Sequence, residues 1–212
     1  MSATPVLTSR IDVEVPQWLV VPGTADVTPA WRAGALELFA AIAQVDRDAP
    51  ADQRVFDGGP EVDPEAALDT LLEFRAALDG AERLVAGLGV PNRWPLPVVV
   101  SVGMAESDGP GLLELAGAEG GLPVERPAVD ELPDHVGGEG PVVTRYDLDD
   151  DGAIWATVCA VRRETFETFE TADTTTPVDT RVLWRTRDLD VVPVFGDELI
   201  DLLAAVKNEV TA

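Results

Sequence analysis

Two alternating runs joined by an acidic turn constrain this chain more than any other stretch. Residues 142–148 and 154–163 flank Asp149-Asp150-Asp151-Gly152. An Asp-Gly pair between such runs is the strongest short-range signal for a β-hairpin. In the return run both parities are apolar, with Ile154, Ala156 and Val158 on one side and Trp155, Cys159 and Val161 on the other. A strand apolar on both sides sits inside a sheet with both faces covered, so Trp155 is expected to be largely buried. The hairpin therefore needs neighbours. Residues 181–187 read as one, and 96–104, with Val98, Val99 and Val100 in a row, as another. Residues 11–21 read as one or two short strands interrupted by Pro16, because Ile11, Val13 and Val15 alternate with Asp12 and Glu14.

Three helices are available to cover this sheet. The first opens at Thr28-Pro29, a capping residue followed by a proline where no amide donor is needed. Its apolar stripe is read as Trp31, Ala35, Leu38, Ile42 and Val45. The second repeats the signature at Asp63-Pro64, with Leu68, Leu71, Leu72 and Leu78 inward, and is expected to kink at Gly80 and run on through Leu84, Val85 and Leu88. The third is expected over 196–210, with Leu199, Leu202, Leu203 and Val206 inward and Lys207 in its last turn. Residues 106–141 are rich in Gly, Pro, Asp and Glu and are read as a loop-rich acidic segment holding a short strand or two, one at 112–115. Hairpins outnumber alternating βα units. The expectation is a single α+β domain over 1–212, a largely antiparallel or mixed sheet packed against about three helices as an α/β sandwich. That layout resembles sheet-and-helix sandwiches that serve as accessory or binding proteins, an analogy of fold alone.

Charge narrows the function. The chain carries 39 acidic residues against 15 basic ones, a net charge of −24, and Lys207 is its one lysine. Such a field repels nucleic-acid phosphates and anionic membranes, so neither is expected as a partner. The acidity fits solubility, a salty cytoplasm or a basic partner. Residues 1–15 show no basic stretch followed by an apolar core, and Cys159 is the only cysteine. Both point to the cytoplasm.

The motifs that carry chemistry are few. Asp147, Asp149 and Asp151, with Gly152 next, match positions 1, 3, 5 and 6 of a calcium loop, but Val158 stands where the bidentate Glu belongs. Calcium is therefore expected to bind weakly, if at all, and the turn reads first as a hairpin tip. His135 is the only histidine, placed in a loop, and Cys159 lies in a strand. No nucleophile–base set, phosphate loop or dinucleotide fingerprint is legible, so no catalytic residue and no cofactor is expected. A short Thr-rich repeat, Phe166-Glu167-Thr168 and Phe169-Glu170-Thr171, is too brief to define an architecture. One stripe stands out. Arg181, Arg185 and Arg187 share parity with Leu183, whereas Val182, Trp184 and Thr186 point the other way. Arginines on one face read as sites for a partner's carboxylates or, alternatively, as cross-strand partners of neighbouring acids. The functional expectation is a non-catalytic intracellular accessory or adaptor protein that binds another protein. The alternatives are a small-molecule enzyme with a carboxylate-lined site and a weak calcium-binding protein working through the turn at 147–152.

Overall fold

The computed structural model describes residues 5–49, 62–106, 108–122, 125–167 and 175–211. The fold is α+β. Seven strands form a largely antiparallel sheet in the order β2-β3-β4-β8-β7-β6-β5, and β1 pairs with β9 as a separate two-stranded ribbon. The elements are β1 Val6–Ile11, β2 Trp18–Val21, α1 Pro29–Asp48, α2 Pro64–Ala77, β3 Glu82–Gly87, β4 Leu96–Met104, α3 Leu112–Leu115, β5 Ala128–Glu131, β6 Pro141–Leu148, β7 Ile154–Glu167, β8 Thr175–Thr186, α4 Val192–Ala205 and β9 Val206–Thr211. The chain divides into two compact units, one of residues 13–99 and one of residues 1–12 with 100–212.

In the unit 13–99, α1 starts as its sequence demands: the Thr28 hydroxyl accepts from the amide of Trp31 at 3.1 Å, with Pro29 at the first helical position. The buried stripe is rotated from the expected one. Ala35, Phe39, Ala43 and Asp46 face inward, Trp31, Leu38 and Ile42 lie at the flank, and Val45 is 69% exposed. The small Ala35 and Ala43 let the helix approach closely and admit Phe39 edge-on to Trp94, with ring centroids 5.2 Å apart. Asp46 is buried because it is satisfied. Its Oδ2 accepts from the indole of Trp94 at 2.7 Å and from the amide of Asn92 at 3.0 Å.

α2 is capped by Asp63 as expected, but it ends at Ala77. Its expected continuation is a strand instead. In β3, Leu84, Val85 and Ala86 are all fully buried, as in a strand flanked by β2 and β4 and covered on both sides. Gly80 lies in the turn between helix and strand. The expected strand at 11–21 also shifts: β1 ends at Ile11, β2 begins at Trp18, and residues 12–17 between them are not strand.

In the unit of residues 1–12 and 100–212, the expected hairpin is present. β6 and β7 pair antiparallel from Val142↔Ala160 to Leu148↔Ile154, and β7 pairs with β8 from Ala156↔Thr186 to Glu167↔Thr175. One face of these strands carries Ala156, Val158, Ala160, Val178, Val182 and Trp184, all buried. α4 packs on it through Phe195, Leu199, Leu202 and Leu203, with Trp184 and Phe195 edge-to-face at 4.9 Å.

The closing segment corrects the sequence reading. The helix runs from Val192 to Ala205, and residues 206–211, Lys207 included, are strand β9. No glycine or proline stops this helix. Its last carbonyls are taken up instead by the amide of Val206 on Leu203, the ammonium of Lys207 on Ala204 at 2.7 Å, and the amide of Asp12 on Ala205 at 3.0 Å. Residues 112–115, expected as strand, form the single helical turn α3. The tandem repeat at 166–171 extends outside the described residues, as does Gly58-Gly59-Pro60.

Arg162 ties β9 to the sheet. It is 2% exposed on the face that α4 covers. Its guanidinium donates to the carbonyl of Val206 at 2.8 Å and of Val136 at 3.2 Å, and pairs with Glu164 at 2.7 Å. The same Glu164 oxygen accepts from Asn208, which also donates to the fully buried Thr180. Burial pulls the pKa of Arg162 down and the carboxylate of Glu164 opposes this. Breaking such a network strands buried charge, at a cost of about 3–5 kcal/mol. Arg162→Ala should lower the free energy of urea unfolding by that order. Arg162→Met, which keeps the length and removes the charge, should cost less. Equal stability in all three proteins would show that the network does not hold the fold.

Candidate functional site

The opposite face of β6, β7 and β8 is polar, and its residues follow from parity. Register sets Arg145 beside Thr157 and Thr157 beside Arg185, then Val143 beside Cys159 and Cys159 beside Leu183, then Val161 beside Arg181, and Arg163 beside Asp179. α3 covers the middle of this face, where Leu112, Leu115 and Ala116 pack on Val143, Cys159 and Val161. Arg145 holds that turn down by donating to the carbonyls of Gly117 at 2.9 Å and Glu119 at 3.2 Å. Gly117 sits at φ +71°, and a β-carbon there would come within 2.7 Å of the Arg145 guanidinium. Only glycine suits both demands.

The three arginines of the expected stripe have three different environments. Arg187 is paired: its Nη2 donates to Asp149 at 3.1 Å and Asp151 at 3.0 Å. Arg181 lies beside Val161 and forms one wall of a concavity of about 340 Å³, along with Met104, Leu115, Arg163 and Asp179. Arg185 is exposed, and its guanidinium lies over the ring of Trp155 at 4.6 Å. The Arg187 guanidinium lies 4.8 Å from the same ring. Trp155 is thus half-buried beneath two arginines, not enclosed in a core. The expectation of a largely buried Trp155 fails because this face has only the single turn of α3 as cover.

The acidic turn is occupied by donors from its own chain. Asp147 accepts from Arg145 at 3.0 Å and Thr157 at 3.2 Å. Asp149 accepts from the amide of Asp150 at 2.8 Å and the indole of Trp155 at 2.9 Å, and Asp151 from the amide of Ala153 at 2.9 Å. Among the described residues no three His, Cys, Asp or Glu side chains come together as metal ligands. The network around Trp155 and Arg145 was not read from the sequence. Its only signal was the shared parity of 145, 155 and 185, and that appears once the pairing register is known.

His135 and Cys159 stand apart. His135 lies in a short 3₁₀ turn against α4, with Nε2 3.6 Å from Asp201, whereas Cys159 and the arginines point to the other face of the sheet. Arg163 and Asp179 form a bidentate pair at 2.7 Å, and that hydrogen bonding raises the pKa of Arg163.

No family model, no curated protein and no solved structure matches the chain. Among the described residues no helix is long and apolar enough to cross a membrane.

Two titrations test this geometry. Burial pushes the Cys159 thiol up to about 11, with Arg181 and Arg145 opposing. At pH 8 only about one thiol in a thousand is then ionised, so iodoacetamide should leave the folded protein unmodified and label it on unfolding. Rapid labelling of the native protein would contradict this packing. Asp149 is held below its ordinary value of 3.8 by the amide of Asp150, then by Trp155, then by Arg187. A depressed carboxyl stabilises the tip at pH values above 3.8 and loses that contribution as pH falls through its folded value. In an NMR titration Asp149 should therefore ionise below 3.8. Arg187→Ala should move it only partway back, since Asp150 and Trp155 contribute more.

Proposed function

We propose that this is a non-catalytic binding protein of the cytoplasm that engages a protein partner through the open face of β7 and β8, with Arg185 as the contact for a partner's carboxylate. The observation that carries this reading is the state of Arg185. Its cross-strand neighbour is the neutral Thr157, and among the described residues no carboxylate pairs with it. The neighbouring Arg163 and Arg187 are satisfied within the chain. Charge pairing, across the strands for Arg163 and to the hairpin turn for Arg187, therefore accounts for them and leaves Arg185 over. Stacking on Trp155 restrains its long side chain, so less conformational freedom is lost when the guanidinium meets a carboxylate.

The surrounding charge favours a protein over a nucleic acid. With a net charge of −24 the chain as a whole repels phosphate. A single preorganised arginine flanked by Trp155 and Leu183 suits an acidic side chain set among apolar ones. Aromatic and arginine side chains together are the usual anchors of protein interfaces.

The test is affinity capture from lysate with the wild type and Arg185→Glu as paired baits. Arg185 is a surface residue, so its reversal should change stability by no more than about 0.5 kcal/mol. Proteins retained by the wild type should fall by about tenfold on the variant, the equivalent of losing one charge-assisted contact of roughly 1.4 kcal/mol. An identical retained set with both baits would move the interaction away from this face.

A further inference from the structure

We propose that one flank of α1, in the unit of residues 13–99, is a docking groove for an amphipathic helix of a partner protein, which lays an apolar ridge on α1 and brings a lysine or arginine to Asp46. α1 is apolar on two sides. Ala35, Phe39 and Ala43 are buried in the core, and Leu38, Ala41, Ile42 and Val45 stand beside them. Of these four, Leu38 and Ile42 are half-buried, Ala41 is exposed and Val45 is 69% exposed. Next to them lies a concavity of about 430 Å³ whose other wall includes Leu88 and Pro91. Its whole lining belongs to the unit 13–99.

The spacing of the four residues selects a helix as the occupant. Leu38, Ala41, Ile42 and Val45 are positions i, i+3, i+4 and i+7. Residues so placed surround one hole on a helix surface, of the kind that takes a single side chain of a facing helix. Ala41, on one side of the hole, is small enough to let that helix come close. α2 does not supply it. The two helices are tied by Arg32 and Asp69 at 2.7 Å, and Arg32 projects about 120° round the helix from Leu38, on the side of Phe39 and Ala43.

Charge then selects which helix. Asp46 is the one charged side chain in the lining, and it is buried. Its Oδ2 accepts from both the indole of Trp94 and the amide of Asn92, and among the described residues Oδ1 accepts from none. Oδ1 is nevertheless not sealed from solvent. An ammonium or guanidinium arriving with the apolar ridge supplies that donor, as a charge-assisted bond in a place from which water is leaving. An uncharged ridge leaves the oxygen unmet, at a cost. Glu37 and Asp48 are exposed, and the helical step puts both on the side of Leu38 and Val45 away from the core. The net charge of −24 acts in the same sense at longer range. A basic amphipathic helix meets the apolar hole and the acids together.

The probe is a helical peptide of about 14 residues with leucines along one face and lysines elsewhere, titrated into the full chain at about 0.15 M salt. In NMR spectra the methyl signals of Leu38, Ile42, Val45 and Leu88 should shift together. Val45→Glu and Ala41→Glu each place an acid at an exposed position of the hole. Either should weaken binding by about tenfold or more, whereas adhesion through net charge alone would grow stronger with the added acid. Asp46→Asn keeps an oxygen for Trp94 and Asn92 and removes the charge. It should weaken the lysine peptide several-fold and leave a peptide with glutamines in place of the lysines unaffected. Should that variant disturb the core, the two surface variants still decide. Methyl shifts confined to other residues would overturn the proposal, as would an affinity that both glutamates leave unchanged or raise. A concentration-dependent dimer that Val45→Glu dissociates would also overturn it, because a second copy of the chain would then occupy the groove.

Discussion

One buried guanidinium organises the unit of residues 1–12 and 100–212. Arg162 occupies a face of β7 that is otherwise Ala156, Val158 and Ala160, and it is 2% exposed. A charge there is tolerable only if it is largely partnered, and both terminal nitrogens are, while the buried Nε has no acceptor among the described residues. Two of the acceptors are main-chain carbonyls, those of Val136 and Val206. This requires residue 206 to lie against the sheet in extended form instead of continuing α4. β9 then exists to satisfy Arg162 as much as to pair with β1, and Asn208, the one polar residue on its inward side, completes the circuit through Glu164 and Thr180. The pairing of β9 with β1 follows from that placement.

The same strand gives the protein its second surface. β7 alternates between a side that α4 buries and a side on which Trp155, Thr157 and Arg163 meet Arg185 and Asp179. Because strand parity is strict, no residue can serve both sides. The apolar demand is met on one face by four residues of α4, Phe195, Leu199, Leu202 and Leu203. The other face has α3, a single turn, and is free to be polar. The functional reading therefore concerns a face whose polarity the fold permits, and it is distinct from the core whose packing the fold requires.

Most of the fold was legible where local signals agreed with tertiary need. The cap-proline pairs at Thr28 and Asp63, the strand Leu96–Met104 and the Asp-Gly hairpin each carry a signal that no competing structure explains as well. The failures share a cause. The run Leu84, Val85, Ala86 is apolar without period, so it fits a helix as readily as a covered strand. Val206 is three residues after Leu203 and thus fits a helical stripe, while the inward Asn208 hides the alternation of Val206 and Val210 that marks β9. The helix end at Ala205 is set by bonds from Lys207 and Asp12, and no local pattern reports the second, which comes from a residue so distant in sequence. At the candidate site the arginine parity was readable, but which arginine is left over depends on its neighbours. Only the register showed Arg185 facing Thr157 while Arg163 faces Asp179.

The excess of acid and the arginine face are not in conflict, because they act over different distances. A net charge of −24 acts through solvent, where salt confines it to about 10 Å. A guanidinium against a carboxylate acts at hydrogen-bond distance, with its own geometry and little screening once water is excluded. The wider field makes an anionic partner approach slowly and discourages any that lack a matching contact. Under the proposed function, the local contact then decides which partner stays. An acidic surface with few arginines left unpaired is, on this argument, more selective than a neutral one: repulsion applies to every anionic candidate, and the compensating bond is available only to one that brings a carboxylate to Arg185 and apolar surface to Trp155 and Leu183. Leu183 lies between Arg181 and Arg185 on this face and is half-buried, so the apolar part of such a contact stands next to the charged one. In the proposed reading, the discrimination is set by the few ångströms around one indole ring, and the other acids of the chain raise the threshold that this contact has to meet.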